Sequence, residues 1–182
     1  LNVWGDGGFI VTNKKPLAKK LYLIRNHGLK DRNNVEVFGF NSRLDTIQAA
    51  VANYKMKNKL DNITSKRIKN AKMLDKLLSK NNNVITIKRL KYLKEVFHLY
   101  HINVKRRDAL QKYLIKNNID AKVHYPIPVH LQKAAMYLKY KKGDFPVSEE
   151  MANTSLSLPV HEFIDLRHIK HMVNSINNFY SK

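Results

Sequence analysis

The chain has no cysteine, which excludes disulfides, thiolate-bound structural zinc and any iron-sulfur cluster held by its own side chains. Acidic groups are scarce as well: 14 Asp and Glu stand against 34 Lys and Arg, a formal charge of +20. No apolar run approaches the ~20 residues that a membrane-spanning helix needs. Nor does a basic-then-apolar leader with a small-residue cleavage site open the sequence. A soluble, cytoplasmic protein without a membrane partner is therefore expected. Internal repeats and low-complexity segments are also lacking. What is present is 43% hydrophobic over 182 residues, enough to argue against disorder and for one sizeable core or one and a half small ones.

A charge of this sign raises the prospect of nucleic acid. Its excess, however, is mostly lysine spread from Lys14 to Lys182 and mixed with asparagines such as Asn81, Asn82 and Asn83. Diffuse lysine suits solvated helix faces, whereas a nucleic-acid footprint is a local stripe with arginines and stacking aromatics. Nucleic acid is not expected as a partner, although the field would still draw in an anionic substrate.

Along the chain, the turn Gly5-Asp6-Gly7-Gly8 precedes Phe9-Ile10-Val11-Thr12, an apolar run that predicts a buried strand. Pro16 sits near the start of a helix carrying Leu17, Leu21, Ile24 and Arg25, which Gly28 closes. Residues 31–40 read as a loop. Leu44, Ile47, Ala50, Val51, Tyr54 and Met56 predict a helix that buries one face, followed by a second helix to about Ser79. Strands are expected over 84–87, 96–104 and 119–123, with a helix over 108–116 between the last two. A helix over 147–153, a brief strand at 156–158 and a final helix over about 165–179 complete an α/β layer pattern.

Three polar clusters could carry chemistry. Arg25-Asn26-His27-Gly28 lies at a helix C-terminus, where the dipole favours a cation; a capping histidine and a site histidine are equally open. Gly39-Phe40-Asn41-Ser42-Arg43 precedes a long helix, whose cap could expose donors to a phosphate, though simple capping by Asn or Ser is favoured. His124-Tyr125-Pro126-Ile127-Pro128-Val129-His130 cannot be helical with two prolines so spaced and reads as a rigid, exposed loop. Three polar or aromatic groups on so stiff a backbone favour a binding site. His98, His101, His161, His168 and His171 are scattered without a third ligand, and no metal is assigned.

Taken in order, these segments resemble the DegT/DnrJ/EryC1/StrS sugar aminotransferases. The resemblance rests on Gly5 to Asn13, Arg25 to Gly28, the run Gly39 to Ala50, His124 to Gln132, Gly143-Asp144-Phe145-Pro146-Val147 and Leu156-Ser157-Leu158-Pro159-Val160. It implies the C-terminal part of the aspartate aminotransferase fold, a fold-type I pyridoxal-phosphate enzyme. Residues 1–58 would be the end of the cofactor-binding large domain with a connector helix, and 59–182 the small α/β domain. It further implies a homodimer with active sites between subunits, pyridoxal 5'-phosphate as cofactor, and amino transfer, typically from glutamate, to a nucleotide-linked keto-sugar. By the same resemblance Asn41 reaches the cofactor phosphate of the neighbouring subunit with Arg43 supporting that turn. His27 approaches the active site, and His124, Tyr125 and His130 lie in the substrate-binding segment near the nucleotide-sugar.

In that family the lysine that holds the cofactor as a Schiff base lies about two residues before the segment that starts at Leu1. Exposed lysines such as Lys14 and Lys15 lack the setting for that chemistry, so the chain is expected to be inactive alone. Three alternatives stay open. The same fold could serve as a deoxysugar dehydratase, with histidine at the lysine position. A basic interaction or nucleic-acid-binding domain would show binding that falls steeply with salt. An inactive scaffold would expose the apolar faces of Phe9 to Val11 and of the helix over 17–24 and would tend to associate.

Overall fold

A computed structural model describes residues 2–181. Leu1 and Lys182, the outer ends of the two expected domains, lie outside the described residues. The chain forms two compact units, one ending at Asp61 and one beginning at Asn62.

The first unit contains α1 (Lys15–Ile24) and α2 (Thr46–Asn58). Pro16 sits in the first turn of α1, where its missing N–H costs nothing. The expected strand over Phe9 to Thr12 does not form: Phe9, Ile10 and Val11 are 73%, 72% and 83% exposed, and no ladder flanks them. A strand needs a neighbour to take its N–H and C=O groups, and among the described residues no bridge forms to 9–12. The expected buried face of α2 is likewise uncovered, with Ile47, Tyr54 and Met56 exposed. No hydrophobic side chain among residues 2–61 is buried.

The second unit is a two-layer α/β fold. Its elements are most of α3 (Leu60–Leu78), β1 (Val84–Thr86), β2 (Tyr100–Val104), α4 (Arg107–Lys116), α5 (Pro146–Thr154), β3 (Ser155–Leu158) and α6 (Leu166–Tyr180). Two 3-10 turns, Val129–Leu131 and Lys133–Leu138, come between α4 and α5. The sheet order is β1-β2-β3, antiparallel throughout, with Val84 opposite Val104 and Ile102 opposite Leu156. Strand alternation sends Tyr100, Ile102 and Val104 to one face. They join Leu74 and Leu78 of α3, Leu110 and Leu114 of α4, and Ile169, Met172 and Ile176 of α6 in one core. Asp165 starts α6 by accepting from the Arg167 and His168 amides, while His168 bonds back to the Asp165 amide. That capping gives His168 a structural role.

The expected strand over 119–123 is replaced by a single bridge, Lys122 to Ser157. The Ala121 N–H bonds back to the Ile119 carbonyl at 2.8 Å, which spends locally a donor that a ladder would need. The third strand of the sheet is 155–158 instead. Among the described residues no helix is long and apolar enough to cross a membrane.

Beside the core, the Tyr100 hydroxyl donates to Asp75 Oδ1 at 2.7 Å. Arg89 pairs with both Asp75 and Glu95 and lies over the Phe97 and Tyr100 rings. Burial first, and then the bond to Asp75, push the Tyr100 phenol far above its ordinary value of 10. The unfolded chain therefore ionises this tyrosine in a range where the folded chain keeps it neutral. Stability is complete below about pH 10 and falls as pH rises above it, by about 1.4 kcal/mol per pH unit for one such group. Urea unfolding at stepped alkaline pH should show that slope reduced by this amount in Tyr100→Phe; identical slopes would contradict the assignment.

Candidate functional site

Two groups of the singled-out residues are brought together, one in each unit. In the first unit, α1 ends at Arg25, and the next residues fold against the segment 36–42. His27 N–H donates to the Phe40 carbonyl at 2.9 Å, Phe40 N–H to Ile24 at 2.7 Å, and Ser42 N–H to Arg25 at 2.9 Å. His27 and Asn41 are thereby held on adjacent strands of one bracket, Asn41 forming a bridge with Asn26. His27 has φ +58° and Gly28 φ +73°.

Two glycines make this closeness possible. A Cβ on Gly28 would stand 1.5 Å from the Val37 carbonyl oxygen, and one on Gly39 would stand 2.5 Å from the Gly28 nitrogen. Within the bracket the Arg43 Nε donates to Asn41 Oδ1 at 3.2 Å. That bond uses one lone pair of the Asn41 amide oxygen and leaves its NH2 and the terminal guanidinium nitrogens, on two exposed residues, as donors. A set of donors around a positive charge suits a phosphate. Asn41 and Ser42 do not cap the following helix, as had been expected of that cluster; the N-cap of α2 is Asp45, whose side chain makes no capping bond.

In the second unit, a cleft of about 680 Å³ opens over the sheet face opposite the core. His101 and Asn103 of β2 and Ser155 of β3 line its floor, His124 and Tyr125 one wall, and Phe145, Val147 and Met151 another. His124 Nδ1 lies 2.8 Å from the Ser157 hydroxyl, which lies 2.9 Å from His101 Nδ1. The two imidazoles meet edge to face at 6.0 Å. Burial, and secondarily the His124 ring, hold His101 below its ordinary value. Tyr125 stands 82% exposed at φ +56°.

His130 differs from its expected place on an exposed, non-helical loop. It sits in the 3-10 turn Val129–Leu131 with its side chain 8% exposed. Pro128 has the fixed φ that starts such a turn, and its carbonyl accepts from Leu131. His130 Nε2 lies 3.0 Å from Glu149 Oε1, and its ring packs 4.8 Å from Phe145. The Gly143 amide, ahead of His130, holds Glu149 below the usual carboxylate range. His130 thus pins the wall of the cleft to α5, while His124 and Tyr125 face the cleft itself.

Sequence reasoning missed His101, Ser157 and Glu149. The signal for His101 was present: in Tyr100-His101-Ile102-Asn103-Val104 the apolar residues alternate with polar ones, so His101 and Asn103 share the face away from the core. Nothing local pointed to Ser157, whose two partners come from 33 and 56 residues away.

Comparison with known proteins agrees with this architecture. The family model described as the DegT/DnrJ/EryC1/StrS aminotransferase family matches residues 1–177. A protein of Geobacillus stearothermophilus named pleiotropic regulatory protein is 39% identical over 99% of the chain and 49% of its own length. The dTDP-3-amino-3,6-dideoxy-alpha-D-galactopyranose transaminase of Aneurinibacillus thermoaerophilus is 34% identical over 95% of the chain and 47% of its own. The crystal structure of S. venezuelae DesV in complex with a ketimine intermediate superposes with a TM-score of 0.88 at 29% identity, over 94% of this chain and 46% of that one. A Brucella abortus aminotransferase structure superposes at 0.83 with 30% identity, over 94% and 45%. These neighbours share the fold-type I architecture of pyridoxal-phosphate sugar aminotransferases. The chain spans about half the length of the curated relatives it matches.

Proposed function

Because this chain belongs to the DegT/DnrJ/EryC1/StrS aminotransferase family, we propose that the protein containing it transfers an amino group from glutamate to a keto-sugar carried on a nucleotide. Pyridoxal 5'-phosphate is the cofactor, and the product serves surface polysaccharide or deoxyaminosugar biosynthesis in the cytoplasm. The observation that carries this is the family match over residues 1–177, supported by relatives such as the transaminase of a dTDP-linked sugar. Residues 1–58 close the cofactor-binding domain and 59–182 form the small domain of a homodimer whose active sites are shared.

When bound, the cofactor supplies the electron sink for moving the amino group. The residues of this chain hold and orient. Asn41 Nδ2 and the Arg43 guanidinium bind the cofactor phosphate, in keeping with their free donors. The His27 segment keeps that turn in place through its backbone bonds. His124 and Tyr125 bind the nucleotide-sugar in the cleft, and His130 supports them through Glu149. The apolar wall of Phe145, Val147 and Met151 limits water around the ligand. The cofactor-anchoring lysine is expected upstream of Leu1, so residues 1–182 alone are not expected to turn substrate over.

The test uses the full-length protein: borohydride reduction in the presence of pyridoxal phosphate, peptide mapping, and amination of dTDP- and UDP-keto-sugars by glutamate. Covalent label on a lysine immediately upstream of Leu1, with amination, is the expected result. Arg43→Ala should weaken cofactor binding by about tenfold or more, the loss of one hydrogen bond to a charged group. Cofactor bound without a labelled lysine would favour the dehydratase alternative, and no cofactor binding at all would overturn the proposal.

A further inference from the structure

The Ser157 hydroxyl stands between two imidazole nitrogens, and it has one proton to give. His124 Nδ1 is 2.8 Å away on one side and His101 Nδ1 is 2.9 Å away on the other. If both rings presented bare Nδ1 atoms, one of the two would face the hydroxyl oxygen lone pair to lone pair. At least one ring must therefore carry its proton on Nδ1 and donate to the hydroxyl, and where the other ring is bare at Nδ1 the hydroxyl donates to it. Which nitrogen of a histidine is protonated is set by the partner of its other nitrogen, and here a single hydroxyl sets two rings at once.

The surroundings decide the direction. His101 projects from β2 beneath the cleft, whereas His124 lies in the loop that borders both the cleft and a second, smaller hollow. His101 is half-buried, and burial holds its ring below its ordinary value and so neutral, which leaves one bare ring nitrogen able to accept the serine proton 2.9 Å away. Tyr125 adjoins His124 on the cleft side. On the other side the hollow is bordered by Arg67, His98, Asp120, Lys122 and His161. Asp120 is paired with Lys122, and Arg67 with Glu162. The carboxylate that borders the hollow, Asp120, is thus already engaged by Lys122.

We propose that Ser157 and His101 are positioning residues that lock His124 in its Nδ1–H tautomer, so that its Nε2 is a bare acceptor toward the ligand. In that state His124 Nε2 accepts a hydrogen bond from a sugar or ribose hydroxyl, or takes up and returns a proton, without any change in the Ser157 bonds. His124 then offers an acceptor where an untethered imidazole would mostly present an N–H. The placement of the ligand at His124 rests on the proposed function; the tautomer lock does not.

The test is a long-range proton–nitrogen NMR correlation of the histidine rings in the 15N-labelled 182-residue chain at neutral pH. The expected spectrum shows His124 with a protonated Nδ1 and a bare Nε2, and His101 with the reverse. In His101→Ala the serine proton is released to His124 Nδ1, so His124 should flip to the Nε2–H form. His101→Asn, whose amide oxygen can accept from Ser157, should restore the Nδ1–H form, a rescue that a purely structural role would not produce. Ser157→Ala should give His124 the mixture of an untethered ring. His124 found as Nε2–H in the parent chain, or unchanged in both His101→Ala and Ser157→Ala, would overturn the inference. Shifts of the His124 ring on adding dTDP read the ligand placement separately, so the two ideas can fail independently.

Discussion

Leu156→Ala is expected to lower the stability of the second unit by about 2–5 kcal/mol, through lost burial and the cavity left behind. Leu156 is fully buried, lies opposite Ile102 in the sheet, and belongs to the single core cluster of that unit. Its neighbours along β3 are Ser155, on the floor of the cleft, and Ser157, between the two histidines. The strand therefore joins core to site: apolar side chains anchor it on one side, and what it presents on the other depends on that anchorage. Urea unfolding should show the midpoint falling with little change in slope, as for a loss of native stability alone. A change under about 1 kcal/mol would mean that β3 does not pack into the core as described. The His124 ring signals should broaden in the same variant, since a loosened β3 no longer fixes Ser157.

Gly28→Ala should have the largest effect in the first unit. The residue sits at φ +73°, where a side chain costs about 1–2 kcal/mol, and its Cβ would fall 1.5 Å from the Val37 carbonyl oxygen. No rotamer relieves a Cβ, so residues 24–28 and 36–42 must part. Amide exchange should read this directly, with protection lost at His27, Glu36 and Phe40, whose N–H groups span the bracket. In the full-length protein, cofactor affinity should fall with it, because Asn41 and Arg43 hang from the same segment. Gly8→Ala is the control: nothing lies within 4 Å of a Cβ there, and it should leave exchange and binding as they were. Equal effects of the two substitutions would refute the close approach.

Much of the helical skeleton was readable from periodicity. α1, α4, α5 and α6 fall where the 3.6-residue spacing and the flanking proline, glycine or asparagine residues put them, and α3 continues the pattern of Ile68, Ala71, Leu74 and Leu78. The strands were harder, because a strand is defined by its neighbour. Phe9 to Thr12 has the composition of a buried strand and no described ladder partner, and 119–123 alternates apolar and charged residues as a strand can but turns back on itself at Ile119. Local sequence carries propensity and not pairing. The site divides in the same way. His124, Tyr125 and Asn41 stood out through proline-stiffened or glycine-bounded surroundings, whereas Ser157 and Glu149 became visible only when the fold brought distant segments together. His130 was placed on the right segment and given the wrong exposure, because proline geometry that forbids an α-helix still permits a 3-10 turn.

The first unit has two helices and a well-bonded bracket, yet it buries no hydrophobic side chain of its own. A surface that covered Phe9, Val11, Ile47 and Tyr54 would supply the burial this unit lacks, and on a separate molecule it would do so with a free energy of association. Quantities of that kind obey mass action. If the cover is on another molecule, the fraction of ordered first unit depends on concentration, and dilution becomes a denaturant for one half of the chain while leaving the other untouched.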